Sequence, residues 1–256
     1  MAHDRDTPGR VLSVAALVCV VCAVLVSAAV VLLRPIQDRN ALLQRQRDIL
    51  EVAGLYQPAA SVEAQFARIE PHLVKLSDGS YVEGGDAVRF DIAKMSRDPK
   101  QSDPVPGDLD VAKVHRRPRD MPVFLVRGET GIETVILPVH GYGLWSTMYA
   151  YVALDGRGER VKGVTFYSHA ETPGLGAEVE NPRWRGSWVG KRLVDDAGQV
   201  RFDIAKGAPA DADAEYHVDA LSGATLTSNG VENMVHSWPG EQGYGPFLAR
   251  LRDGGA

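Results

Sequence analysis

Thiols are nearly missing from this chain: of 256 residues, only Cys19 and Cys22 are cysteine. Two thiols cannot build a disulfide framework or a four-thiolate metal centre within one chain. Charge of one sign is also lacking in excess, since 28 Lys and Arg stand against 33 Asp and Glu for a net charge of -5. A balance of that kind argues against nucleic acid as a partner. Gly at 26 and Pro at 15 are near average, which excludes a collagen-like repeat and a chain dominated by disorder. No repeat of solenoid or propeller period occurs. No Gly-x-Gly-x-x-Gly follows a candidate strand, so a dinucleotide site is not expected. The seven histidines, among them His140, His169, His217 and His236, show no paired ligand spacing, and no metal is expected. What is present, 45% hydrophobic and 24% charged residues, is globular usage with length enough for one or two domains.

The apolar residues are unevenly placed. Residues 11–33 form an unbroken 23-residue run whose only polar members are Ser13 and Ser27. At 1.5 Å per residue it extends about 34 Å, the thickness of a bilayer core. A cleaved signal peptide would have a shorter apolar region, and this run continues through Leu33 past the small residues Ser27, Ala28 and Ala29. The pattern predicts a retained anchor. Cys19 and Cys22 both lie inside the run, leaving 34–256 without a thiol, which suits an oxidising compartment. Their spacing reads as small-residue packing, with a metal shared with a partner protein as the alternative. The arginines Arg34, Arg39, Arg45 and Arg47 outnumber Arg5 and Arg10, so a positive-inside count would keep the large domain cytoplasmic.

The expected organisation is a tail over 1–10, a transmembrane helix over 11–33, a stalk helix over 34–58 and a folded domain over 59–256. Gly54 and Pro58 supply the stop of the stalk. A short helix is expected over 62–69, a turn at 77–80, and an irregular loop over the proline-rich 97–120. Segments 123–127 with 132–139, and 147–154 with 161–167, flank Gly-containing turns and predict two β-hairpins. One more strand is expected over 199–204 and a helix over 230–238, ended by Pro239 and Gly240. The fold class predicted is α+β, with an antiparallel sheet.

Three stretches could carry chemistry. Asp219-Ala220-Leu221-Ser222-Gly223-Ala224-Thr225-Leu226-Thr227-Ser228 precedes the predicted helix, where small residues allow close approach and free N–H groups favour a phosphate. The same letters also read as a Ser/Thr cap and turn. Glu171-Thr172-Pro173-Gly174-Leu175-Gly176 could line a pocket with bare backbone, or be a tight turn between strands. In Gly141-Tyr142-Gly143-Leu144-Trp145-Ser146 an aromatic could stack on a ring system, or pack in the core. Lys191 could place a cation near a ring or phosphate, or simply be an exposed strand-end lysine.

Together these stretches resemble one family: the FMN-binding domain of the C subunit of the bacterial sodium-translocating NADH:quinone oxidoreductase. The G subunit of the Rnf ferredoxin:NAD oxidoreductase is its nearest relative. Asp219 to Thr225 is similar to the flavinylation motif Asp-x-x-Ser-Gly-Ala-Thr. The resemblance implies covalent FMN, phosphoester-linked to Thr225 by a flavin transferase that uses FAD as donor; Asp219 reads as a recognition residue for that transferase or a local hydrogen-bond acceptor rather than a catalytic base. It implies flavin contacts from Ser222, Gly223, Ala224, Leu226 and Thr227, from Trp145, from Glu171, Thr172, Gly174, Leu175 and Gly176, and from Lys191. The closing Gly243-Tyr244-Gly245-Pro246-Phe247-Leu248 favours the sodium-pump family over the Rnf one. By this resemblance the chain is a single-pass protein of the bacterial inner membrane, with its flavin domain on the periplasmic side, against the arginine count. It would relay electrons among the other subunits of a complex toward ubiquinone, coupled to sodium export, and would not be catalytic alone. A membrane-anchored flavin-binding or sensor module without redox partners is the rival of another class.

Overall fold

Why the chain turns at Gly54 is visible in its hydrogen bonds. Leu55 N–H reaches back to Leu50 O at 2.8 Å and Gly54 N–H to Glu51 O at 3.0 Å, with Gly54 at φ +69°. That is the Schellman ending, in which a left-handed glycine satisfies the last helical carbonyls. The computed structural model describes residues 7–129 and 131–254. Most of the expected tail, 1–6, lies outside the described residues, as does Thr130 of the first hairpin turn.

Two units make up the chain, Met1–Gln44 and Arg45–Ala256. Helix α1 (Pro8–Val52) begins in the first and gives its last turns to the second. It starts three residues before the expected span and passes through Pro35 without ending. Its apolar residues from Val11 to Ile36 remain exposed, and it is the one helix among the described residues long and apolar enough to cross a membrane. The stretch expected as a stalk, 34–58, is divided. Ile49, Leu50 and Val52 are buried in the second unit, because their apolar face has a sheet to pack on.

The second unit is built on that sheet. After α2 (Val62–Phe66), capped by Ser61 Oγ accepting from Ala64 N–H, the strands β1 (Ile69–Lys75) and β2 (Tyr81–Val82) form a hairpin. The expected helix over 62–69 is shorter, since Ile69 already opens β1. The turn expected at 77–80 is present, with Asp78 Oδ1 accepting from Ser80 N–H at 2.8 Å. Helix α3 (Ile92–Arg97) follows. The expected loop 97–120 contains two strands, β3 (Ser102–Pro104) and β4 (Arg116–Pro118), paired antiparallel. Pro104 and Pro118 stand at strand ends, where a missing N–H is tolerated.

Strands β5 (Asp120–Gly128), β6 (Gly131–Tyr142), β7 (Thr147–Asp155) and β8 (Val161–Ser168) are the two expected hairpins. The sheet order is β2-β1-β5-β6-β7-β8, antiparallel throughout. Alternation along these strands feeds both faces. Val123, Leu125, Val135, Leu137, Val152 and Leu154 enter the larger core, while Phe124, Val126, Ile136, Tyr151 and Ala153 meet Ile49, Leu50 and Phe66 on the other.

The rest covers the larger face. A 3-10 turn (Gly176–Glu180) leads into α4 (Pro182–Gly186), which contributes Trp184. Strands β9 (Asp203–Ala205) and β10 (His217–Asp219) form a separate parallel pair. The strand expected over 199–204 is therefore displaced toward its end, because Val200 finds only an isolated bridge to Val194. Helix α5 (Thr225–Ser237) begins five residues earlier than expected, its start hidden in a run of small polar residues. Helix α6 (Gly245–Arg252) closes the unit, with Pro246 in its first turn. The fold is α+β, as expected.

Candidate functional site

The three chemistry-bearing stretches meet at one carboxylate. Glu171 is 5% exposed, and its Oε1 accepts from the backbone N–H groups of Leu144 and Trp145, each at 3.0 Å. Its Oε2 accepts from Thr227 Oγ1 at 2.7 Å. Buried carboxylate oxygens need such donors, so this single side chain ties the β6–β7 turn and the first turn of α5 to its own loop. Glycine makes the approach possible. A Cβ on Gly143 would lie 2.5 Å from Glu171 Oε1, and one on Gly176 would lie 2.5 Å from Thr227 Oγ1.

Above this knot lies an exposed apolar rim. Trp145, Leu175 and Leu226 are 64%, 46% and 60% exposed, and an added Cβ on Gly223 would sit 3.3 Å from Leu175 Cδ2. Gly174 stands at φ +74° with open space where a side chain would be, while Thr172 O accepts from Leu175 and Ala177 N–H. Ser222 and Gly223 are exposed and Ala224 is buried.

Thr225 is the first residue of α5 and is exposed. The residue before it, Ala224, has no side-chain oxygen to cap the helix, and the first helical bond runs from Ser228 N–H to Ala224 O at 2.9 Å. The N–H groups of Thr225, Leu226 and Thr227 therefore have no carbonyl one turn behind them, the arrangement that favours an anion. The Ser/Thr capping alternative does not occur here: Ser228 Oγ instead accepts from Leu221 N–H at 3.0 Å and braces the preceding turn. Thr227, two residues on, is 1% exposed and faces Glu171.

Asp219 ends β10 with its side chain 81% exposed, and its carbonyl accepts from Trp184 Nε1 at 2.8 Å. His217 beside it lies between Asp203 Oδ2, at 2.7 Å from Nδ1, and Asp219 Oδ1, at 3.5 Å from Nε2. Sequence reasoning missed that pairing, which depends on the parallel register of β9 and β10. Lys191 Nζ donates to Ala214 O at 2.7 Å. Among the described residues it takes no part in the bonds that join the three stretches.

An uncapped helix start, an exposed indole and bare glycine backbone suit a planar ring that carries a phosphate. Residues 143–239 match the FMN-binding domain model and enclose every expected site residue. The C subunit of the Na(+)-translocating NADH-quinone reductase of Yersinia pestis is 48% identical over 263 residues, covering 99% of this chain and 98% of the relative. The chain belongs to this family. The Pseudomonas aeruginosa counterpart is 46% identical, with both chains fully covered. The crystal structure of Shewanella oneidensis NqrC superposes with a TM-score of 0.74 at 35% identity, covering 81% of this chain and 96% of that one. With one candidate membrane helix and relatives named as subunits of a reductase complex, the chain is a single-pass membrane subunit of an oxidoreductase.

Proposed function

We propose that this chain is the electron-relaying flavin subunit of a Na+-translocating NADH:quinone reductase, with FMN joined to Thr225 through a phosphoester. The carrying observation is the contrast between two hydroxyls in one helical turn. Thr225 is exposed at an uncapped helix start, whereas Thr227 is buried and donates to Glu171. Only the first is open to a transferase.

FMN, when bound, supplies the capacity to pass electrons singly between partners that exchange one and partners that exchange two. The residues of this chain do the holding. Thr225 provides the attachment, and the N–H groups of the first turn of α5 face the phosphate with the positive end of the helix dipole. Trp145, Leu175 and Leu226 offer an apolar rim for the ring, while Gly174 and Gly176 let backbone come close. Glu171 holds these parts in register from beneath. Lys191, whose Nζ donates to Ala214 O, is the cation this reading brings near the ring or its phosphate.

The partners in this reading are the other subunits of the complex and a flavin transferase, with FAD as FMN donor and the exposed Asp219 side chain as a recognition element. The flavin domain lies outside the cytoplasmic membrane, where covalent attachment prevents loss of a cofactor that no local pool replaces. Sodium export belongs to the assembled complex, and NADH and quinone react on other subunits. Peptide mass mapping of the chain coexpressed with a transferase tests the assignment. The reading expects the FMN-phosphoryl mass on the peptide containing Thr225, at that residue; an unmodified Thr225 in the presence of an active transferase would reject it.

A further inference from the structure

A concave site lies apart from the start of α5. A cavity of about 450 Å³ opens between α3, the loop 105–115 and the ends of β6 and β7. Its wall carries Arg97, Lys113 and Arg116, and no carboxylate lines it. Two buried polar atoms in the same wall have no hydrogen-bond partner among the described residues, Ser96 Oγ and His140 Nδ1.

Each of these has a structural reason to be where it is. The His140 ring is 4% exposed and oriented by aromatic contacts, stacked on Tyr149 at 5.5 Å and lying 4.7 Å from Trp238. Its ring is thus positioned with Nδ1 left over. Arg116 is aimed by two bonds to Ser102, from Nε to Oγ and from Nη2 to the carbonyl. Lys113 and His115 both adopt left-handed backbone, φ 52° and 61°, which non-glycine residues seldom do. The loop is clamped in that form: Asp110 accepts from Val114 and His115 N–H, each at 2.8 Å, and Ala112 O accepts from Tyr142 N–H at 2.8 Å. A loop clamped in a strained form and three cations along a wall that no carboxylate lines converge on one kind of ligand, an oxyanion.

We propose that this cavity binds a phosphate-bearing ligand, its phosphate met by Arg97, Lys113 and Arg116. The size suits a small molecule, and Tyr149 gives the site an aromatic wall. It is separate from the flavin attachment. Gly141, next to His140, packs on Met234, which lies nine residues beyond Thr225, about 13 Å along the helix axis. The proposal does not rest on the flavin assignment.

Isothermal titration of the full-length chain in detergent with sodium pyrophosphate tests it. Saturable binding to wild type is expected, weakened at least tenfold by Arg97→Gln combined with Lys113→Gln. Binding should be unchanged by Lys94→Gln, which stands on α3 outside the cavity wall, and by Thr225→Val. Titration in lipid nanodiscs identifies the source: competition from phosphatidylglycerol but not phosphatidylcholine supports a lipid headgroup, and undiminished binding supports a soluble ligand. Absence of saturable binding overturns the proposal. So does a double variant that binds like wild type, or a loss of binding in Thr225→Val.

Discussion

Thr227 Oγ1 donates to Glu171 Oε2 at 2.7 Å, a bond between residues 56 apart in sequence, and both partners are buried. Two residues earlier in the same turn, Thr225 is exposed. The division of labour between the two threonines is structural. Thr227→Val removes the donor while keeping the shape, leaving a buried carboxylate oxygen one partner short, which costs about 1–3 kcal/mol. Chemical denaturation should show that loss, and the variant should still accept flavin on Thr225.

The two glycines of the 171–176 loop differ in kind. A Cβ at Gly176 would lie 2.5 Å from Thr227 Oγ1 and 2.7 Å from Glu171 Oε2, inside the packed network. Gly176→Ala is expected to cost about 1–3 kcal/mol through overpacking. Gly174 has open space but φ +74°, so Gly174→Ala carries only the left-handed strain of about 1 kcal/mol. Urea midpoints of the two variants should fall in that order.

At Trp145 the exposed ring contributes little to folding, so Trp145→Ala should change stability by less than about 0.5 kcal/mol. The visible absorption of bound flavin should shift nonetheless. An unaltered spectrum would remove the indole from the flavin site.

Burial pushes the His140 imidazole down to about 3. The unfolded chain takes up this proton near the ordinary value of 6.5, whereas the folded chain does not until about pH 3, so between those values the unfolded state binds more protons. Stability from this residue therefore falls as pH falls from 6.5 toward 3, by up to about 1.4 kcal/mol per pH unit. His140→Leu should flatten the wild-type decline in urea midpoint between pH 6 and pH 4. An equally steep decline in the variant would show that the histidine does not contribute.

Much of this was legible in the sequence wherever the signal was local. The two hairpins followed from apolar strands around Gly-containing turns, and the helix stop at Gly54 from glycine itself. The start of α5 was not legible, since Thr225, Thr227, Ser228 and Asn229 have low helix propensity and only packing of Thr227 and Ser228 against the domain decides the matter. Similarly, β3 and β4 were hidden among prolines, because their pairing joins residues 102–104 to 116–118. The motif points to Thr225, and the stretches 143–146 and 171–176 stand out by their glycines. That Glu171 binds all three together depends on long-range geometry, as does the pairing of His217 with Asp203.

The central claim, a covalent flavin on Thr225, is tested most directly by in-gel fluorescence of the denatured full-length chain coexpressed with a flavin transferase. The account predicts a fluorescent band for wild type and Thr227→Val and none for Thr225→Val. Fluorescence that persists in Thr225→Val, or a dark wild-type band beside an active transferase control, would contradict it.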